Sequence, residues 1–136
     1  MLDPRLWAIL IGALTGAIGY WITTFWMQPL LRYQSIRNQI LIDFIYYAQV
    51  VNANGLNEEM QQLYRERILA NRKTSAQLFA AALNLPRWYL WYLQRRGINP
   101  AIAASHLIAY SNTTEYGLAH QMEQSIRKYL GLPTKD

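Results

Sequence analysis

Residues 6–26, LWAILIGALTGAIGYWITTFW, run for 21 positions without a charged side chain. At 1.5 Å of rise per residue, a helix of that length crosses a hydrocarbon layer of ~30 Å. A helix is also the only single segment that bonds all its own backbone groups where lipid offers no partners. Trp7 stands at one end of the run, and Tyr20, Trp21, Phe25 and Trp26 stand at the other. Tryptophan and tyrosine favour the headgroup boundary, so both ends read as an aromatic belt. Two alternatives fit less well. A cleaved signal peptide has a shorter apolar core and a small-residue cleavage site, whereas this run continues through Tyr20 and Trp21 behind a weakly basic flank. A buried core helix this long and this neutral is out of scale with so small a chain. Residues 1–29 are therefore expected to form a transmembrane anchor, and residues 30–136 a helical domain at the membrane face.

The composition agrees. Charged residues make up 15% of the chain, against about 25% in typical soluble proteins. A formal net charge of +5 suits an anionic membrane surface at least as well as nucleic acid. Cysteine is absent, which excludes disulfides, a thiol nucleophile and Cys-ligated metal. Arg5, offset by Asp3, precedes the span, and Arg32 and Arg37 follow it. The positive-inside rule then places the C-terminal domain in the cytoplasm by a thin margin. The Asn112-Thr113-Thr114 sequon has meaning only in a secretory lumen. Gly12, Gly16 and Gly19 fall at i, i+4 and i+7, one helical edge on which a second transmembrane helix can approach closely. Glycine is also simply frequent in such helices.

Beyond the span, every segment reads as helix. Pro29 is expected to kink the chain as it leaves the membrane. From Leu30 to about Val51, Tyr33, Ile36, Ile40, Tyr47 and Val50 share a stripe, broken by Asn52-Ala53-Asn54-Gly55. Asn57 is a good N-cap, with Glu58 and Glu59 favoured by the helix dipole. The helix it starts should bury Met60, Tyr64, Ile68, Ser75, Leu78, Phe79 and Ala82 and end near Leu83, with Arg65, Glu66, Arg72, Lys73 and Gln77 in water. Pro86 opens a short helix that Gly97 closes. Asn99-Pro100 opens another, through Ala109 or Tyr110. The last, from about Thr114 to Leu130, has Tyr116, Ala119, Met122, Ile126 and Tyr129 or Leu130 as its apolar face, and Gly131 and Pro133 stop it. The expected fold is all-α: one N-terminal transmembrane helix followed by a compact bundle of about four helices.

The segment Arg87-Trp88-Tyr89-Leu90-Trp91-Tyr92-Leu93-Gln94-Arg95-Arg96 stands out. Its apolar residues go nearly all the way round a helix. We expect Arg87, Trp88, Tyr89, Trp91, Tyr92, Arg95 and Arg96 to meet the bilayer interface or a protein partner. The competing reading is a buried helix with snorkelling arginine ends. Basic residues mixed with acids along a tethered domain argue against nucleic acid. Asp43 lies on the apolar stripe between Ile40 and Tyr47, where a carboxylate needs a partner. A structural ion pair with Arg65, Arg67 or Arg72 is expected, and a functional carboxylate is the lesser reading. His120 and Glu123 are one helical turn apart, but the several inward Glu and paired Glu-x-x-His motifs of a di-iron bundle are missing. No catalytic residue, metal site or cofactor is expected, and an enzyme would need a cleft joining Asp43 to a histidine.

Four short motifs carry a resemblance. They are Arg32-Tyr33-x3-Arg37-x2-Ile40, Leu85-Pro86-x-Trp88-Tyr89, His106-Leu107-Ile108-x2-Ser111-Asn112 and Ile126-Arg127-x-Tyr129-Leu130-Gly131-Leu132. In these the chain resembles a loose group of short bacterial single-span membrane proteins of unknown function. The resemblance implies an inner-membrane anchor with a cytoplasmic helical domain, and no activity. The expected function is a non-enzymatic interaction or scaffold protein, an accessory subunit of a membrane complex or a homo-oligomer. Its partners would be the lipid bilayer and another membrane protein or a second copy. The alternative is a domain that binds lipid or a small ligand at the bilayer surface.

Overall fold

In the computed structural model, which describes residues 3–50, 57–113 and 115–134, the helix that starts the chain does not stop at Pro29. Helix α1 (Pro4–Ile22), a π-helical turn (Thr23–Met27) and α2 (Gln28–Tyr46) are one unbroken helix of 43 residues. It starts with Asp3 as N-cap, the Asp3 carboxylate accepting from the Arg5 N–H at 3.1 Å, and Pro4 in the first turn where a missing N–H is harmless. Further along, Pro29 removes a backbone donor, and its ring would strike the carbonyl four residues back, that of Phe25. The π turn answers both difficulties. Its wider coil, with the Gln28 N–H donating to the Thr23 carbonyl five residues back, relaxes the crowding one turn before the proline. Pro29, where a kink was expected, thus lies within a continuous helix, directly after a π turn.

Four further helices follow among the described residues, and no strand. Helix α3 (Glu58–Leu83) begins as anticipated at Asn57, whose side-chain oxygen accepts from the Met60 N–H at 2.8 Å. Helix α4 (Arg87–Arg95) follows Pro86, and α5 (Pro100–Asn112) follows Asn99, whose side chain accepts from the Ile102 N–H at 3.2 Å. Helix α6 (Tyr116–Leu130) ends at Gly131. The breaker at residues 52–55, Val51, Thr114 and the side chain of Tyr116 lie outside the described residues.

Helix α3 packs against α2 and α5, and α6 packs on α5. The core is built from Tyr33, Ile36, Ile40 and Phe44 of α2, Leu78 and Ala81 of α3, Leu107 and Tyr110 of α5, and Ile126 and Leu130 of α6. The expected α2 stripe holds for Tyr33, Ile36 and Ile40, with Val50 buried just beyond the helix and Tyr47 half-buried. The expected face of α3 is rotated. Its buried line runs through Arg67, Asn71, Thr74, Ser75, Leu78, Ala81 and Ala82, whereas Met60, Tyr64 and Ile68 are half-buried and Phe79 is exposed.

Both short connections after α4 and α6 use the same device. The Ile98 N–H donates to the Leu93 carbonyl at 2.9 Å, and the Leu132 N–H to the Arg127 carbonyl at 2.8 Å. Each bond spans a glycine in the left-handed region, Gly97 at φ 72° and Gly131 at φ 68°. Ile98 and Leu132, just past the turns, enter the core. A Cβ on Gly131 would meet Ile98 Cδ1 at 2.8 Å, whereas one on Gly97 would meet nothing. Gly97→Ala should therefore cost about 1–2 kcal/mol of stability from backbone strain alone, with Gly97→Asn costing less. Gly131→Ala should cost more than Gly97→Ala, because Ile98 must also shift. Urea denaturation of the three variants in detergent, each compared with the parent, measures the order.

Candidate membrane-interface site

Exposure along the unbroken helix changes at one place. No residue of Pro4–Ile22 is buried, and Ile9, Ile11, Leu14 and Ile18 are each more than half exposed. Pro29 and Leu30 are half-buried, and Tyr33 is fully buried. One end of the helix is thus an apolar rod with no packing partner outside the long helix among the described residues, and the other is a wall of the core. It is the one helix among the described residues long and apolar enough to cross a membrane.

A run of aromatic rings bridges the change. Trp21 lies 5.7 Å from both Phe25 and Trp26. Trp26 meets Trp88 of α4 edge-on at 6.0 Å, Trp88 meets Tyr89 at 5.8 Å, and Tyr89 meets the buried Tyr33 at 6.2 Å. Such ring pairs contribute about 0.5–1.5 kcal/mol each beyond the area they bury. Here they fix α4 beside the end of the apolar rod. Only Leu93 of α4 is buried, with Tyr89 and Leu90 half-buried. Trp88, Trp91 and Tyr92 are 50%, 58% and 43% exposed. The apolar circumference seen in the sequence is therefore not absorbed by the core. Arg87 is exposed, the Arg95 guanidinium sits 4.5 Å over the Trp91 ring, and Arg96 donates to the Tyr92 hydroxyl at 2.8 Å. The seven residues singled out on α4 come together as one surface, with Tyr89 turned inward toward Tyr33.

An open groove of about 310 Å³ is walled by Thr24, Phe25, Gln28, Pro29 and Arg32 of the long helix and by Asn84 at the end of α3. Nothing in the sequence marks it, since Asn84 reaches the other five residues only through the fold. A second groove of about 340 Å³ lies between α3 and α5, with Phe79 and Ile108 over a floor that includes Ala76, Ala101 and Ala104. Neither groove has Asp43, His106 or His120 on its wall.

The glycines Gly12, Gly16 and Gly19 are open, with nothing within 4 Å of a Cβ built on any of them. Asp43 is 8% exposed, but its bonding partner is Gln39, which donates from Nε2 at 2.9 Å, and not an arginine. The three candidate arginines are otherwise engaged or exposed. Arg67 donates to the Tyr110 carbonyl at 3.0 Å, Arg72 donates to the Asn112 side chain at 2.6 Å, and Arg65 is exposed. The expected ion pair at Asp43 is corrected to a neutral amide contact within one helix turn. Burial raises the Asp43 pKa, and the Gln39 bond offsets this in part.

Arg67 is the residue the sequence hid. It is fully buried, with its guanidinium 4.5 Å over the Tyr110 ring and 5.7 Å over the Tyr64 ring. On the far side of the Phe44–Tyr110 pair (ring centroids 5.2 Å apart), Arg127 lies 5.5 Å over Phe44 and pairs with Glu123 at 3.0 Å. Two guanidiniums thus cap one buried aromatic pair, joining α2, α3, α5 and α6. Glu123, one helical turn from His120, forms an ion pair with Arg127. His106 packs edge-on against Tyr129 at 5.5 Å. The helical line Arg67, Asn71, Thr74, Leu78 was the available signal, masked by its polar residues.

Comparison with known protein families, with characterised proteins and with solved structures finds no match, so nothing there bears on the short bacterial single-span group that the motifs resemble.

Two substitutions test the buried polar groups. The folded state holds the Asp43 proton more tightly than the unfolded chain does, so the stabilising contribution exists at low pH and is lost as pH rises through the carboxylate range. Asp43→Asn should therefore be more stable than the parent at pH 7, and the gap should close as pH falls below about 4. Tyr33 has a hydroxyl with no hydrogen-bond partner, and burial pushes its pKa up to about 12. Tyr33→Phe should leave stability within about 1 kcal/mol of the parent or raise it, since it removes an unmade bond. Thermal unfolding across pH reads both.

Proposed function

We propose that this protein is a single-span membrane anchor carrying a non-enzymatic interaction module rigidly at the bilayer face. The observation that carries the proposal is the unbroken helix. Its first half exposes apolar side chains along its whole length, and its second half is a wall of the domain core. In water that first half would be an apolar surface far larger than monomers leave open. In lipid it needs no partner. The edge contact between Trp26 and Trp88 then sets α4 at the headgroup level, where exposed tryptophans with arginines beside them are at their most stable.

The arginines support an orientation. Arg32 stands at the exit of the span, and α4 adds Arg87, Arg95 and Arg96 on the same side, against Arg5 on the other. Cationic side chains near the span favour the cytoplasmic face, so the domain is read as cytoplasmic. The open Gly12–Gly16–Gly19 edge remains for another transmembrane helix, from a second copy or a different membrane protein. The lipid-binding alternative is favoured by one observation, the groove at the π turn.

Two experiments test the reading. The full chain should stay with the membrane after alkaline carbonate extraction, and its release into the supernatant would sink the anchor. Depth is read by tryptophan quenching in vesicles, with Trp7, Trp21 and Trp26 replaced by Phe so that Trp88 and Trp91 report. Lipids brominated near the headgroup should quench more than lipids brominated at the chain ends, and no quenching at either depth would remove α4 from the interface. If the glycine edge serves self-association, Gly16→Ile should lower a dimer signal in a membrane association assay by about 1 kcal/mol or more, the scale of close helix packing in lipid.

A further inference from the structure

The groove at the π turn occupies a stretch of the long helix where polar side chains recur at helical spacing next to the apolar run. Thr24, Gln28 and Arg32 stand at i, i+4 and i+8, and Asn84 at the end of α3 meets them across the groove. None of these four side chains has a hydrogen-bond partner among the described residues. The contrast with Thr15 is informative. Deeper in the span, the Thr15 hydroxyl donates to the Ile11 carbonyl at 2.8 Å and so satisfies itself. At the boundary the hydroxyl, two amides and a guanidinium are instead left open toward one space of about 310 Å³.

We propose that this groove holds the phosphate and glycerol-ester region of one anionic glycerophospholipid; this rests on the reading of α1 as a membrane span. The chemistry matches by level. Arg32, outermost, offers a planar fork of N–H donors suited to a phosphate. Gln28 and Asn84 carry amide donors for the remaining phosphate and ester oxygens, and Thr24, nearest the apolar rod, offers a hydroxyl for an ester carbonyl. Phe25 and Pro29 form an apolar wall for the first methylenes of a chain. The groove's lining residues from Thr24 to Arg32 lie at the C-terminal end of the apolar run, the level at which headgroups would sit. Among the described residues one cation, Arg32, lines the groove, which fits one phosphate.

The test is native mass spectrometry of the full chain released from mixed vesicles of phosphatidylglycerol and phosphatidylcholine. The parent should retain one phosphatidylglycerol. Arg32→Ala should lower that occupancy about tenfold or more, as expected for loss of a charge-assisted bond. Arg32→Lys should restore part of it. Asn84→Ala, which leaves net charge unchanged, should also lower it, whereas Lys73→Ala, which removes an exposed charge away from the groove, should not. Unchanged retention in both Arg32→Ala and Asn84→Ala would overturn the assignment, as would equal retention of phosphatidylcholine. Displacement of the lipid by millimolar glycerol 3-phosphate would assign the groove to a soluble phosphate ester and overturn the lipid source. Carbonate extraction of the same samples separates the two claims. A chain that stays in the membrane but retains no lipid refutes the groove alone, and a chain that leaves the membrane refutes the anchor beneath it.

Discussion

Backbone continuity across Pro29 is the constraint on which everything else rests. Had the helix ended there, the apolar rod and the domain would be joined by a loop, and the domain's orientation relative to the rod would be free. Instead, the hydrogen-bonded ladder passes through a π turn and emerges as the helix that supplies Tyr33, Ile36, Ile40 and Phe44 to the core. A rotation of the rod therefore turns that core face as well. The π turn is the softer joint in an otherwise stiff element, since i→i+5 geometry is uncommon and tends to occur as a single turn at functional positions. It lies where the surroundings change most steeply, from an exposed apolar surface to a packed one.

The domain holds that helix by a polar as well as an apolar grip. Arg67 and Arg127 bracket Phe44 and Tyr110, so that four helices converge on one stack. Burying a guanidinium is costly, and Arg67 leaves Nε and Nη1 without partners. The ring of Tyr110 and its carbonyl compensate in part, because cation–π attraction strengthens when water is excluded. A cation in this position specifies which face of α3 turns inward more sharply than another leucine would. That specificity matters here, because α3 must bring Asn84 and the start of α4 back to the end of the span.

How much of this was legible follows the range of each signal. Asn57, Asn99, Gly97 and Gly131 marked element ends because caps and left-handed turns are decided within a few residues. The long apolar helix at the start of the chain was legible because twenty-odd uncharged residues admit few other structures. The face of α3 was misjudged because hydrophobicity was used as the proxy for burial, and its buried line carries Arg67, Asn71, Thr74 and Ser75. Asp43 was read as needing a distant cation, but a buried carboxyl with a raised pKa can be satisfied by Gln39 one turn back. The groove was not legible at all. Gln28 and Asn84 are 56 residues apart in the chain, and only tertiary packing gives them a common wall.

The same argument bears on the charges at the membrane. Read linearly, Arg32 and Arg37 gave only a thin excess on the C-terminal side of the span, and Arg87, Arg95 and Arg96 counted for nothing because they lie far along the chain. The Trp26–Trp88 and Tyr33–Tyr89 contacts return α4 to the exit of the span and bring those arginines with it. Each basic side chain at an anionic surface contributes roughly 1 kcal/mol, within a screening length of about 8 Å at physiological salt. Tertiary structure thus concentrates a charge that the primary sequence disperses. On the proposed reading, any electrostatic hold on a bilayer would therefore depend on the folded domain, because α4 is brought to the end of the apolar rod only by the aromatic run.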